Sequence, residues 1–170
     1  MPRGLKETSS IVSIGFSVPE LGPNTFTQGS VDLNLSPLDR EVFVVLAVNI
    51  DPSSPDALAG LDTAVNCSLT TTSQTAVQTL ANANCIGVSS ERIRAAGFVD
   101  SGVSFQTQSL ETPPANLDYI GIIATNDFFI QVEGLQNLTP KGCSGKVYGY
   151  RARADADIFS ALVSSEVLSA

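Results

Sequence analysis

The stretch Leu117–Glu133, LDYIGIIATNDFFIQVE, decides the fold class. Tyr119, Ile120, Ile122 and Ile123 form one apolar run, and Phe128, Phe129, Ile130 and Val132 form a second. Thr125, Asn126 and Asp127 separate them. Asn and Asp tolerate left-handed backbone and bond their own main chain, so this break predicts a hairpin turn. β-Branched and aromatic residues crowd both arms, as in strands covered on each side. The stretch is therefore expected to be the central hairpin of an all-β domain.

Working outward toward the N-terminus, Ser10–Val18 (SIVSIGFSV) alternates apolar residues with Ser and Gly, and Pro19 marks an edge or an end. Thr25–Leu35 places Val31, Leu33 and Leu35 on one face and Asp32 and Asn34 on the other, with Gly29 as a candidate bulge. Glu41–Ile50 (EVFVVLAVNI) is apolar at almost every position, which predicts a strand buried on both faces. Asp51–Asp62 carries two prolines and a glycine and is expected to be a loop with at most one helical turn. Thr63–Ser73 alternates Val65, Cys67 and Leu69 with polar residues, predicting a half-exposed strand in which Cys67 is a buried structural thiol.

Gln74–Asn82 and Ser89–Ala96 have helical character, the second with Ser89 or Ser90 as a cap. Each is expected as a short helix over a sheet edge or as a crossing loop. Alternation resumes in Phe98–Leu110, and Glu111–Asn116 (ETPPAN) is a stiff connector. Gly134–Ser144 is expected to be a polar loop, and Gly145–Arg153 (GKVYGYRAR) the last strand. Tyr148, Tyr150 and Ala152 share one face of that strand, and Arg151 and Arg153 share the other. A helix follows, capped by Asp155 or Asp157, with Ile158, Phe159, Leu162, Val163 and Val167 as its apolar stripe. The stripe must dock on its own barrel or on a neighbouring subunit.

The sum is about eight antiparallel strands in one domain spanning residues 1–170, a double-sheet jelly roll or related sandwich. Residues 1–9 are expected to be a flexible arm, and residues 155–170 a C-terminal helix and tail.

The chain has 170 residues, a net charge of −8, 43% hydrophobic and only 15% charged residues. A surface made of Ser, Thr, Asn and Gln loses little hydration when copies pack together. Its nine cations form no run of three, whereas phosphate neutralisation needs a concentrated cationic footprint. Direct nucleic-acid binding is not expected. Neither a signal peptide nor an apolar run near the ~18 residues of a membrane span is read here, which places synthesis in a cytoplasm. The sequons at Asn66 and Asn137 are then chance matches. Cys67, Cys85 and Cys143 lack zinc-ribbon spacing and disulfide-scaffold density.

There is no histidine, which removes the common general base and metal ligand. Lys141–Lys146 (KGCSGK) fails as a phosphate loop, since Pro140 and Val147 stand where Gly and Ser or Thr are needed. It is expected to be a flexible hairpin loop. Asp51 with Asp56, and Asp155 with Asp157, fall short of calcium-loop spacing. A glycosidase pair such as Asp118 and Glu133 is not singled out by any pattern, and absent Trp weakens a carbohydrate-binding reading. No catalytic, metal or cofactor site is expected.

The segment YIGIIATNDFFIQVEG…GKVYGYRARADADIFSALVSSE, set in this pattern of strands, resembles single jelly-roll capsid proteins of small icosahedral viruses. The resemblance is one of architecture over Ser10–Leu168. It implies a viral coat subunit, of a phage or an archaeal virus, that self-assembles in the virion. Other capsid proteins and an internal viral membrane are further contacts it allows. Candidate subunit-contact residues are Arg151, Arg153, Tyr148, Tyr150, Phe159 and Leu162, the arginines facing acids such as Glu111 or Asp118 of a neighbour. The rival is a β-sandwich binding module, such as a phage tail, receptor-binding or capsid-decorating domain, working through loops such as Asp51–Asp62.

Overall fold

The computed structural model describes residues 2–97, 102–108 and 117–170. Among these residues ten strands and one helix follow in order: β1 Leu5–Glu7, β2 Val12–Pro19, β3 Thr27–Asp32, β4 Glu41–Pro52, β5 Thr63–Thr70, β6 Cys85–Arg94, β7 Val103–Gln108, β8 Gly121–Ile123, β9 Asp127–Leu135, β10 Gly142–Ala154 and α1 Ala156–Leu168. They form two antiparallel sheets. In the first, β2 and β4 flank β10 and β8 follows β4, giving β2-β10-β4-β8. The short β1 extends the β2 side along the far end of β10. The second sheet has the order β3-β9-β5-β6-β7. Consecutive strands switch sheets except from β1 to β2 and from β5 through β7. Two interlocked Greek keys of this kind make a jelly roll, with β1 and β7 added to the eight core strands.

The core lies between the sheets. Phe16, Phe43, Val45, Val48, Ile50 and Val147 from the first meet Val65, Leu69, Phe128, Ile130 and Val132 from the second. The Phe16 and Phe128 rings meet edge to face at 6.3 Å and so join the sheets. In β4 the partner of Tyr148 is Ala47 and that of Gly149 is Val45, so Leu46 is a bulge. That extra residue explains why odd positions (Phe43, Val45) and then even ones (Val48, Ile50) both point inward. Val42 and Val44 face the other way, into a second apolar layer with Leu5, Tyr150 and Ala152. β4 is therefore buried on both faces, as its composition predicts.

Helix α1 covers that second layer with Ile158, Phe159, Leu162 and Val163, so it docks on its own barrel. Asp155 takes the N-cap position without a side-chain capping bond. Val167, expected in the stripe, is exposed; Glu166 is buried instead. The last helical turn sits over the corner at Ala124 and Thr125, whose N–H groups donate to Glu166 Oε1 (2.7 Å) and Oε2 (3.0 Å). Burial raises the Glu166 pKa above its ordinary value, against the pull of those donors.

Several local expectations are corrected. Leu117–Glu133 is not a hairpin: β8 joins the first sheet and β9 the second, and residues 124–126 form the corner between them. The turn chemistry is real but serves the crossing. Asn126 accepts from the N–H of Leu33 through its carbonyl and from that of Leu35 through its side chain, and donates to Asp32. Ser89–Ala96 is not helical but mostly strand β6, because its neighbours β5 and β7 impose pairing on residues of mixed propensity. Residues 74–82 take the second of the two forms expected of them, a loop without helix. β5 is buried almost throughout rather than half-exposed, since that loop covers the Ser68–Thr70 end of its outer face. Gly29 lies in an unbroken register, so it is no bulge; a Cβ there would stand 2.6 Å from Val18 Cγ2. Gly142–Lys146 is part of β10 rather than a flexible loop. The start of the chain is held, with Leu5 buried and Leu5–Glu7 paired to β10. The connector at 111–116 and the ends of the Phe98–Leu110 segment fall outside the described residues.

Candidate assembly surface

The strand registers bring residues 20–26, 53–62 and 136–141 to one end of the sandwich, together with residues 95–97 and 102 between β6 and β7. Three of these loops are tied together by polar side chains. Asn137 is the hub. Its backbone N–H donates to Asn24 Oδ1 (2.8 Å), and its carbonyl accepts from Asn24 Nδ2 (2.9 Å). Its side chain accepts from the Asp56 N–H (2.9 Å) and donates to the Ala64 carbonyl (2.9 Å). Glu20, buried, accepts from the N–H groups of Gly134 (2.6 Å) and Lys141 (2.7 Å). A Cβ at position 134 would fall 2.7 Å from Asn137 Nδ2, so the hub also requires that glycine.

Asp56 completes the cage. It pairs with Lys141 Nζ at 2.7 Å and accepts from the N–H groups of Leu138 (2.8 Å) and Thr139 (3.1 Å). The Lys141 bond, with further help from these N–H donors and Thr139, holds its pKa at about 2 although burial opposes this. A carboxyl fixed in this ionised, fully bonded state serves as a clamp, not as an acid catalyst. Asp62 does similar work next door, accepting from Ala95 and Ala96 N–H (both 2.9 Å) at the β6–β7 turn.

On this pinned end stand two large aliphatic side chains in the open. Leu21 is 86% and Leu138 71% exposed, with Leu61 and Leu135 also exposed nearby. Loops already fixed in this way lose little freedom in any contact these leucines make.

The sequence-derived contact residues divide. Arg151 is engaged internally, donating to the carbonyls of Leu33 (2.6 Å) and Asn34 (3.1 Å) and pairing with Glu41 (3.2 Å). Arg153 pairs with Asp39 at 3.2 Å on the open surface. Tyr150 is buried under α1, and Phe159 and Leu162 are the helix residues above it. Tyr148 lies on the same face but is partly exposed. The glycosidase pair is not assembled as a site: Glu133 is on β9, in the second sheet, while Asp118 precedes β8 of the first. Asn137, Glu20 and Lys141 went unremarked in the sequence as a cluster, because their contacts join residues more than 100 positions apart.

Cys67 and Cys143 are free, buried and face each other from opposite sheets. Their mutual hydrogen bond and burial push the Cys67 thiol pKa up; burial raises that of Cys85 to about 11. Such thiols are inert at neutral pH, in line with a structural role for Cys67. Among the described residues no group of three metal-ligating side chains converges, and no helix is long and apolar enough to cross a membrane.

No protein-family model matches the chain, and no curated protein matches it significantly. Among solved structures, the chain is similar to the unassembled VP1 pentamer of Merkel cell polyomavirus at 6% identity and a TM-score of 0.40, covering 86% of this chain and 97% of that one. It is also similar to Desmodium yellow mottle tymovirus at 16% identity and a TM-score of 0.30, covering 92% and 95%. Turnip yellow mosaic virus follows at 14% identity and a TM-score of 0.27, covering 87% and 95%. It is the strand order of this chain's own two sheets that makes it a jelly roll.

Proposed function

We propose that the chain is a self-assembling coat subunit of a virus, with a structural rather than a catalytic role. The observation that carries this reading is the pinned loop end with Leu21 and Leu138 held out into water. Ordering costs on association are small where loops are already fixed. A surface with 15% charged residues adds little desolvation penalty. The jelly roll supports the reading as a compact block with three bonded loops, 20–26, 53–62 and 136–141, gathered at one end, although a fold by itself hosts many functions.

In this reading the partners are further copies of the chain and, in a shell of mixed composition, other coat proteins, and the chain resides in the virion. Of the sequence-derived residues, Tyr148 and Arg153 are exposed and would contact a neighbour directly; Arg151, Tyr150, Phe159 and Leu162 would shape that surface from within. The genome is not a direct partner, because a net charge of −8 opposes phosphate. A phage or an archaeal virus remains the proposed source. Negative-stain microscopy with light scattering on the purified chain tests the proposal. Uniform rings or shells support it; a monomer at every concentration and salt level overturns it.

A further inference from the structure

The outer face of the second sheet carries an open groove that the assembly reading does not use. Its geometry follows from the ladder. Asn66 lies opposite both Glu133 and Ser90, and Ser90 opposite Thr107, so Glu133–Asn66–Ser90–Thr107 is one polar row across β9, β5, β6 and β7. The next outward row is Leu135–Ala64–Arg92–Phe105. Two adjoining hollows of about 340 and 420 Å3 follow these rows and share Asn66, Arg92 and Thr107. Small Ala64 leaves a recess, with Phe105 and Leu135, each about half exposed, on its two sides. Among the described residues, the side chains of Glu133, Asn66, Ser90, Thr107 and Arg92 make no hydrogen bond or ion pair. Farther along the same face, Gln131, Ser68 and Thr70 are bonded to one another and covered by the loop at 71–84. The unbonded row begins where that cover stops.

We infer that this groove binds a neutral saccharide. Each sugar hydroxyl both donates and accepts, so it can serve a carboxylate that only accepts, a guanidinium that only donates, and the amide and hydroxyls between them. Phe105 offers a flat apolar surface to the underside of a sugar ring, which supplies the aromatic platform that absent tryptophan would otherwise leave missing. Arg92 and Glu133 balance in charge, and the net charge of −8 disfavours anionic ligands. An extended peptide would find no backbone ladder on a sheet face, since the groups of β5 and β6 are already paired on both sides.

The test is saturation-transfer NMR on the full chain, a method that also works on large assemblies, with maltotetraose, cellotetraose and chitotetraose as probes. At least one of the three is expected to bind. Phe105→Ser should weaken it about tenfold, consistent with loss of ring stacking. Glu133→Gln and Asn66→Ala should each weaken it less, while circular dichroism shows all three variants folded. The proposal is overturned if none of the tetrasaccharides shows transfer, or if binding survives unchanged in Phe105→Ser combined with Asn66→Ala. It is also overturned if an acidic peptide competes as well as the sugar. Assembly of the chain can fail or succeed without altering any of these outcomes.

Discussion

The two sheets treat their outer faces differently. The first presents Val42, Val44, Tyr150 and Ala152, and the chain seals them under its own helix. The second presents Ser68, Thr70 and Gln131, and the chain covers them with a loop that completes their hydrogen bonds: Ser68 donates to Gln131, Gln131 donates to Thr70 and Gln28, and the Gln78 N–H donates to Ser68. An apolar face needs shape-matched cover, and a polar face needs matched donors and acceptors. The apolar stretch around Val42, Val44, Tyr150 and Ala152 is closed, whereas the polar face leaves its row at Glu133, Asn66, Ser90 and Thr107 open to a partner.

The most severe way to break this contrast is Val44→Asp. It places a carboxylate at a fully buried position under α1 and is expected to cost more than about 4 kcal/mol, leaving the chain unfolded or aggregated in a thermal melt. On the other sheet, Gln131→Leu removes the acceptor of Ser68 and a donor to Thr70 and Gln28. It should cost about 1–3 kcal/mol in urea unfolding with the fold retained. If Gln131→Leu proved harmless, the outer face of the second sheet would not depend on its polar row.

Two carboxyls give smaller effects of opposite sign. Asp56 is depressed in the fold from an ordinary 3.8 to about 2, so its contribution is present above 3.8 and lost as pH falls toward 2. Glu166 is raised above an ordinary 4.5, so the folded state holds its proton more tightly. Its contribution is therefore present below 4.5 and lost as pH rises through the raised value. Urea midpoints measured across the acid range should lose the part of their acid-side fall that Asp56 contributes in Asp56→Asn, the share of Asp62 remaining. Glu166→Gln should remove a decline on the higher-pH side, with a change near neutrality within about 1 kcal/mol.

Much of the fold was legible because strand signals are local. EVFVVLAVNI reads as a two-sided strand wherever it sits, and Cys67, between Val65 and Leu69, reads as core. What was illegible was partner choice. Nothing in Thr125-Asn126-Asp127 says that its flanking strands join different sheets, since a hairpin and an inter-sheet corner use the same turn chemistry. Ser89–Ala96 carries a capping serine and well-spaced charges, yet pairing with β5 and β7 overrides them. The loop-end cage was hidden for the same reason: Glu20 and Lys141 become neighbours only once β2 and β10 are paired. Asn137 shows the cost of reading motifs alone, for its sequon side chain is buried and bonded through both its oxygen and its nitrogen within the cage.

The smallest expected change in stability carries the largest functional consequence. Leu21→Ser with Leu138→Ser alters only exposed positions and should move stability by no more than about 0.5 kcal/mol per site. Sedimentation velocity of this double variant beside the unaltered chain is the most direct test of the loop end as the assembly surface. The account predicts multimeric particles for the unaltered chain and a folded monomer with an unchanged melting temperature for the variant. Particles of equal size from both proteins, or monomers from both, would contradict it.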